Sequence, residues 1–273
     1  MVKRTITGLI ASGYVIAMVW LGSPELLGRW VLMVNLVALL LIGTHEMLAT
    51  LKSGGFHPVS WLYYLYVLLL APAYLLFGDT GLLVMVMAGL LASLASVALR
   101  TEPDAREMLG ALLPAFYPAL PIMAMGMILL SDSQYWRMMA WTMFALPIGS
   151  DGFALFFGKA FGKHKLIPKV SPNKTVEGAA AGVLGALFSA MIVYGVTVYH
   201  GENLSIWIFI GLGLLASVVN QVGDIVASYI KRFCGVKDYG KIFPGHGGMM
   251  DRVDSVLFTT VVLYGYCLVC GLL

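Results

Sequence analysis

Apolar runs of about twenty residues, broken by short polar or charged interruptions, recur near 5–22, 29–49, 59–78, 81–99, 108–130, 135–157, 177–199, 205–230 and 254–273. A helix crossing the hydrocarbon core needs roughly 20 apolar residues, so each run is long enough for one crossing. The pattern predicts an all-α, polytopic transmembrane bundle of about nine spans. The first run follows Met1-Val2-Lys3-Arg4 much as a signal peptide would, but no small-x-small cleavage site closes it, which predicts a retained helix. Repeats, low-complexity tracts and long linkers are missing, so residues 1–273 are expected to form one membrane domain. Within it, residues 1–130 carry little chemistry, whereas 135–273 hold polar spans and two charged loops, 158–176 and 231–253.

Composition agrees with that pattern. Hydrophobic residues make up 60% and charged residues 11%, against about 45–50% and about 25% in soluble domains. With the N-terminus cytoplasmic, fifteen lysines and arginines fall on inside segments, and Arg29 and Arg137 alone fall outside. Short cytoplasmic loops are enriched in such residues, so the split predicts an inner N-terminus and an outer C-terminus, as for a bacterial plasma-membrane protein. The net charge of +3 follows from the same bias, with contact to anionic lipid heads as the remainder. Nucleic acid is not implied, because the basic residues are dispersed and lack interleaved aromatics. Cys234, Cys267 and Cys270 cannot make a disulfide framework; the last two lie in an apolar run where they are expected to pack.

Ionisable groups inside spans are costly, so each needs a partner or a purpose. Asn220, Asp224, Ser228 and Lys231 follow at intervals of four, four and three, which places them on one helical stripe. Pairing of Asp224 with Lys231 or Arg232 is the plain reading; the stripe's continuation into the 231–253 loop favours a site. There, Phe243-Pro244-Gly245-His246-Gly247-Gly248 cannot be a helix interior, and its glycines allow backbone N–H groups to turn toward an anion. Lys231, Arg232, Lys237, Lys241 and Arg252 offer cations for phosphates, while Asp224, Asp251 and Asp254 offer the hard oxygens that Mg²⁺ prefers. Asp251 and Asp254 also stand where acidic residues offset a helix dipole, and His246 alone reads equally as a turn residue.

The other loop carries Ser171-Pro172-Asn173-Lys174-Thr175-Val176-Glu177-Gly178, a turn into the next span with Lys174 beside a helix N-terminus, a good seat for phosphate. Asp151 precedes it near the same face. Glu177 reads as a first-turn carboxylate as readily as a ligand, and His45 with Glu46 as a buried polar pair. Gly178, Gly182 and Gly185 allow close helix contact, within one chain or between two copies in a homodimer.

Ser228-Tyr229-Ile230-Lys231-Arg232, Lys237-Asp238, Pro244-Gly245-His246-Gly247-Gly248 and Asp251-Arg252-Val253-Asp254, in that order and spacing, resemble the signature of the phosphatidate cytidylyltransferase (CDP-diacylglycerol synthase) family. The Ser171–Gly178 stretch resembles that family's upstream Ser-Pro-x-Lys-Thr-x-Glu-Gly element. One departure is Gly152 after Asp151, where the family more often has Ser or Thr.

The resemblance implies an enzyme that joins CTP and phosphatidic acid into CDP-diacylglycerol, releasing pyrophosphate, at the cytoplasmic membrane boundary. It also implies dependence on Mg²⁺, with a monovalent cation such as K⁺ as companion. Asp224 and Asp251 would hold Mg²⁺, with Asp254 as an outer or second-ion ligand. Lys231, Arg232, Lys237 and Arg252 would cradle phosphates, the 244–248 backbone would lend N–H donors, and Lys174 would close over the nucleotide. Asn173, Ser228, Asp238, Asp151 and His246 complete the expected substrate-binding set. Two rivals are another membrane CTP user with an isoprenoid acceptor, and a transporter or channel; polar groups gathered in the second half and at one face favour an interfacial enzyme. On this reading Lys52→Ala leaves turnover within about twofold, whereas Lys231→Ala lowers it by roughly 10²-fold, as steady-state transfer rates will show.

Overall fold

The structure is a computed structural model and describes residues 13–14, 16–17, 19, 26–243, 245 and 247–273. The expected first span, with Lys3 and Arg4 ahead of it, therefore lies outside the described residues except at five positions. Eight helices are assigned: α1 Leu26–Ser53, α2 Ser60–Ala98, α3 Ala105–Phe116, α4 Ala119–Leu129, α5 Trp136–Phe161, α6 Val176–Tyr199, α7 Ile206–Phe233 and α8 Met250–Val269. Seven helical segments among the described residues are long and apolar enough to cross a membrane, with α3 and α4 together making one, Ala105–Leu129. One departure from helix is a two-stranded antiparallel ribbon, β1 Lys165–Ile167 and β2 Ser171–Thr175, where the sequence pattern suggested only a turn.

The chain falls into two compact units, Met1–Gly126 with Ile230–Val253, and Met127–Tyr229 with Asp254–Leu273. In the first, α2 spans 39 residues, about 58 Å of helix against a hydrocarbon core of about 30 Å. Gly78, at φ 60° and ψ −146°, interrupts it. A side-chain β-carbon at Gly89 would run into the Tyr66 ring. These positions would stand about 34 Å apart on a straight helix, so α2 is a hairpin whose arms match the separately expected runs 59–78 and 81–99. Glycine at 78 supplies a left-handed conformation that other residues adopt at a cost. The Tyr63 hydroxyl donates to the Ala111 carbonyl at 2.7 Å and ties the hairpin to α3. The end of α7 is held by the Arg106 guanidinium, 5.0 Å from the Phe56 ring centre and 5.4 Å from that of Phe233.

In the second unit α5 packs along α6 through small residues. β-Carbons at Gly178 and Gly185 would run into the Ala154 and Gly149 carbonyls, and one at Gly182 would stand 3.1 Å from Ser150 Oγ. The Gly178–Gly182–Gly185 stripe is thus used within the chain, which brings Asp151 on α5 close to the start of α6. Thr175 ends β2 and begins α6 at once, its hydroxyl accepting from the Gly178 N–H at 3.1 Å.

Gly89→Val is expected to lower stability by about 1–3 kcal/mol by forcing the hairpin apart. Gly195→Ala, whose new β-carbon meets nothing within 4 Å, should be neutral or stabilising by up to about 1 kcal/mol. Thermal unfolding of the detergent-solubilised protein measures both.

Candidate functional site

Within the second unit, β2 delivers Lys174 to α7, where its Nζ lies 2.6 Å from Asp224 Oδ2. The plain reading of the stripe gave Asp224 a partner on its own helix; the ribbon supplies Lys174 instead of leaving that lysine to the helix N-terminus alone. Ser228 Oγ donates to Asp224 Oδ1 at 3.4 Å. One turn earlier, Asn220 Nδ2 donates to Asp151 Oδ1 at 2.8 Å, and the Ser255 hydroxyl of α8 donates to Asp151 Oδ2 at 3.2 Å. Asp151 and Asp224 are close enough to interact electrostatically, with Lys174 between them in sign. Asp254, 8% exposed, belongs to the same unit, its Oδ1 accepting from the Ser255 N–H. Six of the expected residues, Asp151, Asn173, Lys174, Asp224, Ser228 and Asp254, so belong to this unit, together with Asn220.

Glu177 proves structural. It accepts from the N–H groups of Lys163 and His164 at 3.1 and 3.2 Å and meets His164 Nδ1 at 2.7 Å, bracing the turn into the ribbon. Asn173 is exposed on β2.

The first unit holds the remainder. Lys231 Nζ meets Asp251 Oδ1 at 2.7 Å, with side chains 10% and 3% exposed. Asp251 Oδ2 accepts from the Tyr239 N–H at 2.7 Å and the Gly248 N–H at 2.9 Å. A substituent at Gly247, whose φ is +85°, would stand 2.6 Å from the same oxygen. Gly245, at φ +80°, and Gly247 form a tight turn closed by the Phe243 N–H donating to the Gly247 carbonyl at 2.9 Å. The Gly248 N–H, expected to face an anion from outside, is taken by the chain's own carboxylate, because a buried Asp251 must find donors. Arg232, Lys237, Asp238, Lys241, Gly245 and Arg252 are exposed, and Arg232 Nη1 donates to the Val236 carbonyl at 3.2 Å. His246 lies outside the described residues.

Sequence reasoning passed over Glu46, which is 2% exposed and accepts from the Met249 and Met250 N–H groups at 2.9 and 2.8 Å. The signal was a carboxylate inside an apolar run. Asn220 was noted only as part of a stripe. Its Oδ1 is buried without a hydrogen-bond partner, beside Asp151 and in the same unit as Asp224.

That orphaned oxygen bears on metal binding. Among the described residues no three His, Cys, Asp or Glu side chains gather into a metal cage. Mg²⁺ seldom uses one; it takes one or two carboxylates, waters and substrate phosphates. Asp224, with Asp151 and the Asn220 carbonyl oxygen nearby, fits such a partial set of hard donors. Asp251, whose oxygens already accept three hydrogen bonds, fits it less fully.

A model of the cytidylyltransferase family matches residues 2–270. A phosphatidate cytidylyltransferase of Staphylococcus aureus (strain COL) is 47% identical over 115 residues, covering 42% of this chain and 43% of that protein. One from Staphylococcus saprophyticus is 41% identical over 114 residues, again 43% of its length. One from Rickettsia conorii is 33% identical over 187 residues, 67% of this chain and 77% of that protein. The chain thus spans less than half the length of the staphylococcal relatives it matches.

Asp251→Ala, which takes the carboxylate away from a buried ammonium, is expected to destabilise the protein by about 3–5 kcal/mol, and the Asp251→Leu/Lys231→Met double variant to recover much of that loss. Thermal unfolding of the three proteins decides it.

Proposed function

The chain belongs to the cytidylyltransferase family, and from that premise we propose that it is a phosphatidate cytidylyltransferase, joining CTP to phosphatidic acid to give CDP-diacylglycerol and pyrophosphate. The observation that carries this reading is the 2.6 Å Lys174–Asp224 ion pair. It joins the Ser171–Gly178 stretch, which the resemblance singles out, to Asp224 of the α7 stripe, which helical spacing singles out on its own. Relatives that bear this activity in their names add support.

A phosphatidic acid oxygen attacks the α-phosphorus of CTP, and the bond from that phosphorus to the bridging oxygen of the β-phosphate breaks, pyrophosphate leaving with the electron pair. The attacking oxygen is already largely ionised at neutral pH, so no strong general base is required. The obstacle is one anion approaching another, which positioning and charge neutralisation overcome. In this reading the exposed cations Arg232, Lys237 and Arg252 bind phosphate groups, Lys231 holds Asp251, and Lys174 binds the nucleotide from β2. Asn173, Asp238, His246 and the 245–248 turn shape the substrate-binding loops. Mg²⁺, when bound, would supply positive charge beside the phosphates; Asp224 with Asp151 and Asn220 would hold it in the second unit, and Asp251 and Asp254 are the other carboxylates that the resemblance implies. K⁺ is the proposed companion cation.

We place the protein in a bacterial inner membrane with its N-terminus and both charged loops on the cytoplasmic side. The α2 hairpin counts as two crossings, which gives eight among the described residues and nine with the run at 5–22. Its partners are then CTP, phosphatidic acid and surrounding lipid. A homodimer would have to pair through faces other than the Gly178–Gly185 stripe.

Incubation of purified protein with CTP radiolabelled at the α-phosphate, phosphatidic acid and Mg²⁺, followed by lipid extraction, is expected to carry label into the organic phase. An isoprenoid phosphate acceptor should carry far less; the reverse preference, or label left wholly in the aqueous phase, defeats the reading. Asp224→Asn should cut transfer by roughly 10²-fold or more in a protein that still unfolds at the wild-type temperature.

A further inference from the structure

The buried glutamate of α1 is not among the residues assigned to substrate, yet it holds the segment that carries them. Glu46 Oε1 accepts from the Met249 N–H at 2.9 Å and Oε2 from the Met250 N–H at 2.8 Å. These are among the first N–H groups of α8, which have no partner within their own helix. From the other side, Gly240 and Gly248 lie so close that a β-carbon at either would run into Glu46 Oε1. One carboxylate therefore fixes both ends of the 240–248 stretch. Its neighbour Asp251 takes the Tyr239 and Gly248 N–H groups. Between residues 239 and 250, four backbone N–H groups are gathered by two buried acids.

A charge at this depth is an expensive way to cap a helix, since a local Ser, Thr or Asn does so without burying a carboxylate in a membrane span. What Glu46 adds is distance. It comes from α1, some two hundred residues away in the chain, and ties the loop bearing Lys237, Asp238, Lys241 and Arg252 to a long, rigid helix. We infer that Glu46 is a positioning residue for nucleotidyl transfer: it sets the register of residues 239–251 against α1, so that the phosphate-binding loop is preformed. This rests on the proposed reaction. Exposed lysines and arginines on long stems tolerate a small loop shift and still bind phosphate, whereas in-line transfer does not, a misplacement of about 1 Å costing up to about 10²-fold. Loss of Glu46 should therefore fall on kcat more than on KM.

The test compares purified wild type with Glu46→Gln, Glu46→Asp and Gly240→Ala, the last crowding the carboxylate from the loop side without removing it. Hydrogen–deuterium exchange follows residues 239–250, with steady-state transfer from CTP to phosphatidic acid alongside. Glu46→Gln is expected to speed exchange at 239–250 while α5 and α6 exchange as before. Its kcat should fall about tenfold or more, with KM for CTP changed less than about threefold. Glu46→Asp, which keeps the charge, should lie between it and wild type, and Gly240→Ala should reproduce the kcat loss even if Glu46→Gln fails to fold. Gly195→Ala, in the other unit, should leave kcat unchanged. Unchanged exchange in Glu46→Gln, or faster exchange with kcat within about twofold of wild type, overturns the inference. A wild-type protein that transfers no nucleotide to any lipid defeats the proposed reaction instead, and the exchange arm then still decides whether Glu46 holds the loop.

Discussion

A carboxylate removed from water must be met by donors, and the Lys231–Asp251 pair shows how far that requirement shapes this chain. Both side chains are nearly sealed, and the two oxygens accept from an ammonium and two backbone N–H groups. Moving such a group out of water costs several kcal/mol unless nearly every lone pair is used. The loop from 235 to 249 has little regular secondary structure of its own, so it cannot satisfy its backbone by a ladder or a helix. Its order comes from acids that collect its N–H groups. Glycine is needed at 247 and 248 because the chain must come against Asp251 and Glu46 closely enough to donate, and any side chain there would occupy the carboxylate's place. The glycine-rich stretch is thus a consequence of the buried charge.

The second unit obeys the same rule by other means. Close packing of α5 on α6 through glycine brings Asp151 beside the start of α6, and Asn220, Ser255 and the nearby Asp224–Lys174 pair meet it there. The ribbon matters because it is short and ends directly in α6. Thr175 caps the helix while Lys174, one residue earlier, projects from a strand and not from a helical turn. A strand and a helix junction fix a side chain more tightly than a free loop would, and Glu177 braces the junction from the helix side.

Much of this was legible in the residues. Seven segments capable of crossing a membrane coincide with apolar runs, and even the α2 hairpin was foreshadowed by the break at Gly78-Asp79-Thr80. The stripe Asn220–Asp224–Ser228 was readable because helical spacing is periodic. Partners were not. Nothing in spacing says that Asp224 would meet a lysine 50 residues earlier, or that Glu46 would cap a helix 204 residues later, because such contacts are set by tertiary packing. The ribbon was missed for a related reason: three and five residues are too few for an alternating pattern, and Pro172 argues against a strand unless it lies on an edge. Glu46 was visible in the sequence but reads there as one of a buried polar pair with His45, although an ionisable group in a span is itself the signal.

Charge in this protein is divided by depth, and the division bears on catalysis. Lys174 and Lys231 are each held at 2.6–2.7 Å from a carboxylate; the Lys231 and Asp251 side chains are 10% and 3% exposed, so their attraction is weakly screened, whereas those of Lys174 and Asp224 are 24% and 34% exposed and more open to water. Lys159, Lys163, Lys165, Lys169, Lys237, Lys241, Arg232 and Arg252 are exposed, where an ion pair is worth about 0–1 kcal/mol and a long stem sweeps a wide volume. Capture of a polyanion from solution favours the second kind, which is plentiful, mobile and cheap to redirect. Holding two phosphorylated reactants in line favours the first, because a group that must not move has to be held by something already fixed. The proposed reaction needs both, and the chain supplies both: paired lysines at 174 and 231, and exposed cations at the ends of α5, α7 and α8 and along the segments between.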